Sequence, residues 1–394
     1  MEEQTLTRRK KILKKIYILI LLLFSVEYLG WGEISVFRVG IIPLCLIGIL
    51  YIYSERKINK YYTYVLFTTV YMIYFSMCLF VTNDNFLFPV LTLPLALYFF
   101  SFLSLRKKIG VDYSKVFVWY SFPHIISILL GVENYDGGRF AGLHEDPNFC
   151  GIFLGFSIIS CVELLLRNSI TKKWKLLILL LLSVDFVLLF TTGSRGAILS
   201  LIIIASLLFL NTKIKTIWKI LTILVVCFLV WRVYQYVLTL PDWVSPSESV
   251  IDSVLCRFKP DSMAEGSHRN VLWDAVIYKL KNSNPLVPIG MKAAMRGQLN
   301  DYPHNTFLDI MVDNGFMVGI VVSIIIVFWG IKSYFKVAKR KFYGYDNVFM
   351  WCSLSVLFQL TFLSAIQQKI FWICVFFLFY MATAPNRLSN TFLR

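Results

Sequence analysis

Apolar runs recur along this chain at the length needed to cross a hydrocarbon core of ~30 Å, about 20 residues each. Polar positions come in short clusters between them. This pattern predicts twelve spans, at roughly 16–31, 37–53, 61–82, 86–104, 114–132, 149–166, 174–192, 197–211, 217–239, 316–335, 347–366 and 370–385. Glu27 and Gly30 interrupt the first, and 197–211 is short. The expected fold is all-α, a polytopic integral membrane protein. One polar stretch stands apart, from about Leu240 to Gly315, and divides the chain into nine spans over 1–239, a loop over 240–315, and three spans with a tail over 316–394.

Helical spacing returns inside that loop. Ser267 is placed to cap a helix whose Val271, Leu272, Ala275, Val276 and Leu280 share an apolar face, and whose first turn presents His268 and Arg269. Pro241, Pro246 and Pro260 mark irregular structure before it. Tyr302-Pro303-His304-Asn305 is expected to open a second helix. His304, Leu308 and Met311 fall on one face of it, Asp309 and Asp313 on another.

Composition agrees with the pattern. The 394 residues are 58% hydrophobic and 16% charged, and the mean hydropathy is +0.68, which a soluble domain could not bury. The net charge of +16 suggests a nucleic-acid binder until its distribution is read. Basic residues cluster at alternate gaps: the N-tail, Arg56 to Lys60, Arg106 to Lys115, Arg167 to Lys175, Lys213 to Lys219, Lys332 to Lys341 and the C-tail. That alternation predicts cytoplasmic termini and an extracytoplasmic long loop. The short outer segments hold only Arg38, Arg139, Arg195 and Lys369. Arg8 to Lys11 precede an apolar run with no small-residue cleavage site, so no removable leader is read. Of eight cysteines only Cys150 and Cys256 are placed to face outward, where a bridge between them is conceivable.

Outer arginines run against the charge bias and call for a reason. Arg139 follows Gly137-Gly138 in a stretch ending Glu145-Asp146-Pro147-Asn148, where Pro147 and Asn148 open the next helix. Arg195 lies in Thr191-Thr192-Gly193-Ser194-Arg195-Gly196, a turn that leads into a helix N-terminus with a hydroxyl alongside. One such arginine is as readily a side chain snorkelling to the interface. Two, each in a glycine-containing turn, point to a shared anionic ligand. Among acidic groups, Glu145, Asp146, Asp309 and Asp313 lie on the outer side, and Asp185 lies within a span, where pairing with an arginine is its expected use.

Four pieces together resemble the bacterial O-antigen polymerase and O-antigen ligase family. They are Arg139-Phe140-Ala141-Gly142 with Asp146-Pro147-Asn148, Thr192-Gly193-Ser194-Arg195-Gly196-Ala197, Arg269 with Trp273, and His304-Asn305 with Leu308, Asn314-Gly315 and Gly319. The resemblance covers roughly residues 130–330. One departure is Pro288 within Asn284-Pro285-Leu286-Val287-Pro288-Ile289-Gly290, where the family often shows a Gly-x-Gly turn.

The resemblance implies a GT-C-like glycosyltransferase at the outer face of the bacterial cytoplasmic membrane, with no cofactor or metal. Its donor is a glycan on undecaprenyl diphosphate. Its acceptor is a second lipid-linked unit for a polymerase of O-antigen or capsule, or lipid A core or a similar anchor for a ligase. A chain-length regulator is a conceivable partner, and nucleic acid is not. Arg195, Arg269 and Arg139 are expected to hold the diphosphate, and His304 to act as general base. Ser194, Asn305, His268, Asn148, Asp309 and Asp185 are supporting candidates. A lipid-glycan flippase is the reading from another class, against which stand the missing six-plus-six repeat and the loop's position after the ninth span.

Overall fold

A computed structural model describes residues 2–27, 30–31, 34–54, 62–82, 95–96, 98, 110–136, 138–144, 146–166, 170–210, 215–241, 244, 249–259, 269–290, 303–338, 345–366 and 368–383. The chain is mostly helical, with several apolar helices of the kind an all-α membrane protein uses. The first part comprises α1 (Glu2–Phe24), α2 (Val36–Ser54) and α3 (Tyr62–Val81). Then come α4 (Tyr113–Phe117), α5 (Phe122–Leu130), α6 (Pro147–Leu166), α7 (Lys172–Thr191), α8 (Arg195–Leu210) and α9 (Thr216–Thr239). The loop carries α10 (Val250–Cys256), α11 (Arg269–Lys281) and α12 (Thr306–Asn314), and α13 (Phe316–Ala338), α14 (Tyr345–Gln359) and α15 (Lys369–Thr383) follow.

Among the described residues, α6, α7, α9 and α13 are long and apolar enough to cross a membrane, and five shorter apolar helices coincide with further predicted spans. These do not establish a count of twelve. The predicted span 86–104 lies almost wholly outside the described residues. The predicted span 114–132 is not one helix but two, α4 and α5, separated by a turn at 118–121. Pro123 is the cause: it opens α5, has no N–H to give, and its ring would clash with the carbonyl four residues back. The span expected over 347–366 ends at Gln359. Beyond it, the Leu360 and Leu363 carbonyls and the Ala365 N–H are given to Thr306 at the head of α12 instead of to a helix.

Two short antiparallel hairpins were not foreseen from the periodicity. β1 (Gly30–Trp31) pairs with β2 (Ile34–Ser35), and β3 (Asn134–Asp136) with β4 (Arg139–Gly142). The cysteine bridge is also absent: Cys150 and Cys256 are free, and the Cys256 thiol donates to the Pro241 carbonyl at 3.2 Å.

The core is the interior of a helix bundle. α15 is buried on every side from Ile370 to Ala382, as an all-round apolar helix must be. Around it pack rings from several helices, including Tyr17, Tyr113, Phe117 and Phe349. Polar contacts tie helices where no water can: Tyr17 and Tyr113 hydroxyls at 3.0 Å, the Tyr120 hydroxyl donating to the Leu21 carbonyl at 2.7 Å, and the Ser200–Ser355 pair at 2.9 Å with Gln359 joining it. Ordering along the chain places the β3–β4 hairpin, the heads of α6 and α8, and the loop helices at one end of this bundle.

Candidate functional site

The turn between α7 and α8 is the centre of the site. Gly193 takes φ +56°, a left-handed backbone that a side chain resists, so the chain reverses within three residues. Ser194 caps α8: its hydroxyl receives the Ala197 N–H at 3.4 Å and donates to Asn148 Oδ1 at 2.8 Å. Asn148 sits in the first turn of α6, where Asp146 Oδ1 accepts both its backbone N–H at 2.7 Å and its Nδ2 at 2.8 Å. The heads of α6 and α8 are thereby joined, and the helices meet closely. A Cβ on Gly151 would fall 2.7 Å from the Ala197 Cβ.

Arg139, on β4, reaches across this junction. Its Nε donates to the Thr192 carbonyl at 2.8 Å and its Nη2 to Asn148 Oδ1 at 3.4 Å. The ion pair with Asp136 is loose, 3.9 Å to a carboxylate that is largely exposed. Two buried histidines seat the hairpin. His124 Nδ1 accepts the Leu143 N–H at 3.3 Å, and the His144 ring lies 5.0 Å from that of His124. Burial, with His124 adding, holds His144 well below the usual histidine range, so it stays neutral packing.

Arg257, at the end of α10, completes the cluster. Its carbonyl accepts Arg195 Nη1 at 3.2 Å. A side chain on Gly193 would touch both Arg139 Nε at 3.5 Å and Arg257 Cδ at 3.6 Å, so the two arginines flank the glycine. Arg269, in the first turn of α11, is near enough for its charge to act on Arg139. All four guanidiniums are half-buried. Burial foremost, then Arg257 and more weakly Arg269, lowers Arg139 to about 10, although Asp146 and Asp136 oppose. Arg257 is lowered by burial and then by Arg195. Like charges drawn together in a half-dry site raise each other's energy, and an anion relieves it. The positive end of α8 points into the same place.

His304 follows Pro303, which is tied to the helix that carries Arg269, and stands on fixed backbone. It adopts φ +49°, which a non-glycine residue reaches only at a cost of about 1–3 kcal/mol. Neighbours on both sides impose it. Trp273 Nε1, one turn along α11 from Arg269, donates to the Pro303 carbonyl at 2.6 Å. Asn305 caps α12 by accepting the Phe307 and Leu308 N–H groups at 3.0 and 3.2 Å. Thr306 is bound through its N–H to the Leu360 carbonyl at 2.9 Å and through its hydroxyl to the Leu363 carbonyl. The helix starts at Thr306, so His304 precedes it, and the expected face shared with Leu308 and Met311 does not include the histidine.

The structure thus gathers Arg139, Asn148, Ser194 and Arg195, sets Arg269 within charge range, and links His304 and Asn305 to the helix of Arg269 through Trp273 and Pro303. Arg257 was missed, because a single arginine in a polar loop carries no motif. His268 lies outside the described residues. Asp185 is elsewhere: fully buried between α6 and α7, it faces the Ser157 and Ser121 hydroxyls, with no arginine paired to it among the described ion pairs. Asp309 is also no surface base. It is buried, with Ser364 donating to Oδ1 at 3.3 Å, and burial followed by the Asp313 charge raises it well above the usual carboxylate range. Around Pro288, the Ile289 and Gly290 N–H groups both reach the Val312 carbonyl, and the Met317 N–H reaches the Pro285 carbonyl at 3.0 Å. The segment lies across the α12–α13 junction, close enough to Gly315, φ +84°, that a Cβ there would meet the Leu286 backbone at 3.2 Å.

The chain is similar to the ComP-specific O-oligosaccharyltransferase of Acinetobacter baylyi, at 25% identity over 249 residues, 58% of this chain. The matched stretch is 42% of that protein, so the chain spans less than half the length of this relative. No family model and no solved structure matches the chain.

Proposed function

We propose that the chain is a membrane-embedded glycosyltransferase that moves a glycan from a polyprenyl diphosphate carrier to an acceptor hydroxyl, at the extracytoplasmic face of a bacterial cytoplasmic membrane. The observation that carries this reading is the arginine cluster around Gly193, with His304 held on strained backbone next to Pro303, which is tied to the helix that carries Arg269. The likeness to an oligosaccharyltransferase supports glycan transfer as the class of reaction.

In the proposed step the acceptor oxygen forms a bond to the anomeric carbon as the bond from that carbon to the phosphate oxygen breaks. His304 takes the hydroxyl proton as general base. The bond's electron pair leaves with the diphosphate, whose growing charge is met by Arg139, Arg195, Arg257 and Arg269. Arginine suits this role because its planar fork pairs two oxygens and stays charged at neutral pH. Asn148 and Ser194 position Arg139 and cap α8 without touching the reacting atoms.

The acceptor separates two readings of one chemistry. A second lipid-linked unit makes the protein a polymerase of O-antigen or capsule, the leading reading, which the sequence motifs do not separate from a ligase. The likeness to an oligosaccharyltransferase supports transfer to a different molecule, as for a ligase, about as well. The test uses purified protein in liposomes with undecaprenyl-diphosphate repeat units. A ladder of longer lipid-linked glycans, lost in His304→Ala, establishes the polymerase. No ladder, but transfer once lipid A core or another acceptor is added, establishes the ligase. Flipping of the unit without transfer overturns both.

A further inference from the structure

Directly below the arginine turn, α7 and α8 both lie against α6 but separate from each other, and the space between the three helices is a groove of about 410 Å³. Its walls are almost wholly apolar. Ile158, Leu189 and Ile204 form a buried floor, and Phe186 and Ile202, each about half exposed (50% and 56%), form the rims. The upper mouth is at the turn itself. Phe190 precedes Thr191, and the Ile198 N–H is bonded to the Ser194 carbonyl at 3.0 Å. The lower end reaches Leu208, ten residues along α8 from Ile198, a run of ~15 Å or roughly half the depth of a hydrocarbon core. The volume lies within the range of small-ligand sites, ~300–1,000 Å³. An open-sided slot of this kind has one further property: a chain already in the bilayer can enter it sideways without crossing water.

We propose that the groove between α6, α7 and α8 seats the isoprenoid chain of the donor, with its diphosphate in the arginine cluster at the mouth. The assignment rests on the transferase reading for the identity of the headgroup. Two observations select this occupant over an ordinary membrane lipid. The half-buried arginines are drawn together around Gly193, an arrangement that suits a compact, multiply charged anion, and the groove begins at Phe190 and Ile198 on either side of the same turn. One ligand bridging the two needs a diphosphate at one end and a long apolar chain at the other. In the bound state the chain fixes the depth of the headgroup, so the bond to be cleaved arrives at the level of Gly193.

Two measurements test this. The first compares two donors with the same glycan, one on a full-length polyprenyl diphosphate and one on a two-isoprene diphosphate, in the intact protein and in Ala205→Trp, which fills the groove midway. The expected result is a KM for the long donor raised at least ~10-fold, the equivalent of about two buried methylene groups. The KM for the short donor and both kcat values stay unchanged. Phe186→Ala, which removes an exposed rim and leaves the floor intact, is expected to raise the long-donor KM in the same selective way if Ala205→Trp fails to fold. The second measurement is direct. A polyprenyl diphosphate carrying a diazirine in its chain is photolysed with the intact protein and is expected to label peptides containing Phe186 and Ile202. Unlabelled polyprenyl diphosphate should block the label, and phospholipid should not. Equal effects on both donors in folded variants, or labelling confined to other helices, overturn the groove while leaving the transferase reading in place. Equal competition by phospholipid makes the groove a common lipid site and overturns it as well. If the intact protein transfers from neither donor while the probe still labels Phe186 and Ile202, the groove stands and the transferase reading falls.

Discussion

At the scale of single residues, the site is built from groups held where they are not at their most stable. His304 shows this best. Its φ of +49° has no cause in its own side chain; it is imposed by Trp273 at Pro303 and by the cap and Thr306 bonds on the other side. Glycine relieves that backbone and alanine does not. His304→Gly and His304→Ala are therefore both expected to lose turnover with donor binding kept, while the glycine variant is the more stable of the two by about 1 kcal/mol. Thermal denaturation of the two purified variants reads the difference. An alanine variant as stable as the glycine variant would remove the strain argument. Arg257 makes the second prediction at this scale. If it shares the diphosphate charge, Arg257→Ala is expected to lower kcat roughly a hundredfold, and Arg257→Lys to be strongly impaired too, since a point charge does not replace the fork. Wild-type rates in both would leave Arg257 as no more than the partner of Arg195 through its carbonyl.

At the scale of elements, the sequence carried the helices well and their interruptions poorly. Runs such as Pro147–Leu166 and Lys172–Thr191 were legible because an apolar length near 20 residues has few other uses. The break at 118–121 has a local sign in Pro123, which the apolar continuity of 114–132 masks. The end of α14 at Gln359 has none, because it depends on Thr306 claiming the Leu360 and Leu363 carbonyls from 54 and 57 residues away in sequence. Arg139, Arg195, Arg269 and His304 stood out because charge on the wrong side of a membrane, or a motif, marks them. Arg257 did not, because only the fold brings it to Gly193.

The same scale explains α12, whose two acids face inward: Asp309 and Asp313 are both buried, while Leu308 and Met311 pack partly buried against α11. Burial, with Asp313's charge adding and the Ser364 hydrogen bond opposing, raises Asp309 in the folded chain. The folded state then binds this proton more tightly than the unfolded one. The resulting contribution to stability is fully present below the ordinary carboxylate value of ~3.9 and is lost as the pH climbs toward the raised value. Asp309→Asn is expected to raise the melting temperature at neutral pH and to flatten its fall between acid and neutral pH. A variant that melts lower at neutral pH would show that the carboxylate is needed charged.

At the scale of the whole molecule, the two ends of the bundle differ in the kind of positive charge they carry. One end holds half-buried arginines drawn together by tertiary contacts. The other holds lysines at helix ends, Lys172 and Lys173 exposed and Lys175 half-buried at the head of α7, with Lys215 exposed and Lys219 half-buried at that of α9. Lysines with flexible stems and full hydration are what a cytoplasmic surface next to anionic lipid attracts, whereas buried arginines at a shared turn are what a phosphate ligand requires. This difference gives a topology that can be tested without reference to catalysis. In a variant lacking the eight native cysteines, Ser283→Cys, just past the end of α11 at the arginine end, is expected to react in intact cells with a maleimide that cannot cross the membrane. Lys173→Cys is expected to react only after the membrane is opened. The reverse pattern, Lys173→Cys reacting in intact cells and Ser283→Cys only after the membrane is opened, would put the arginine cluster on the cytoplasmic side. An extracytoplasmic donor could not reach it there, and the motifs shared with outer-face transferases would then need another explanation.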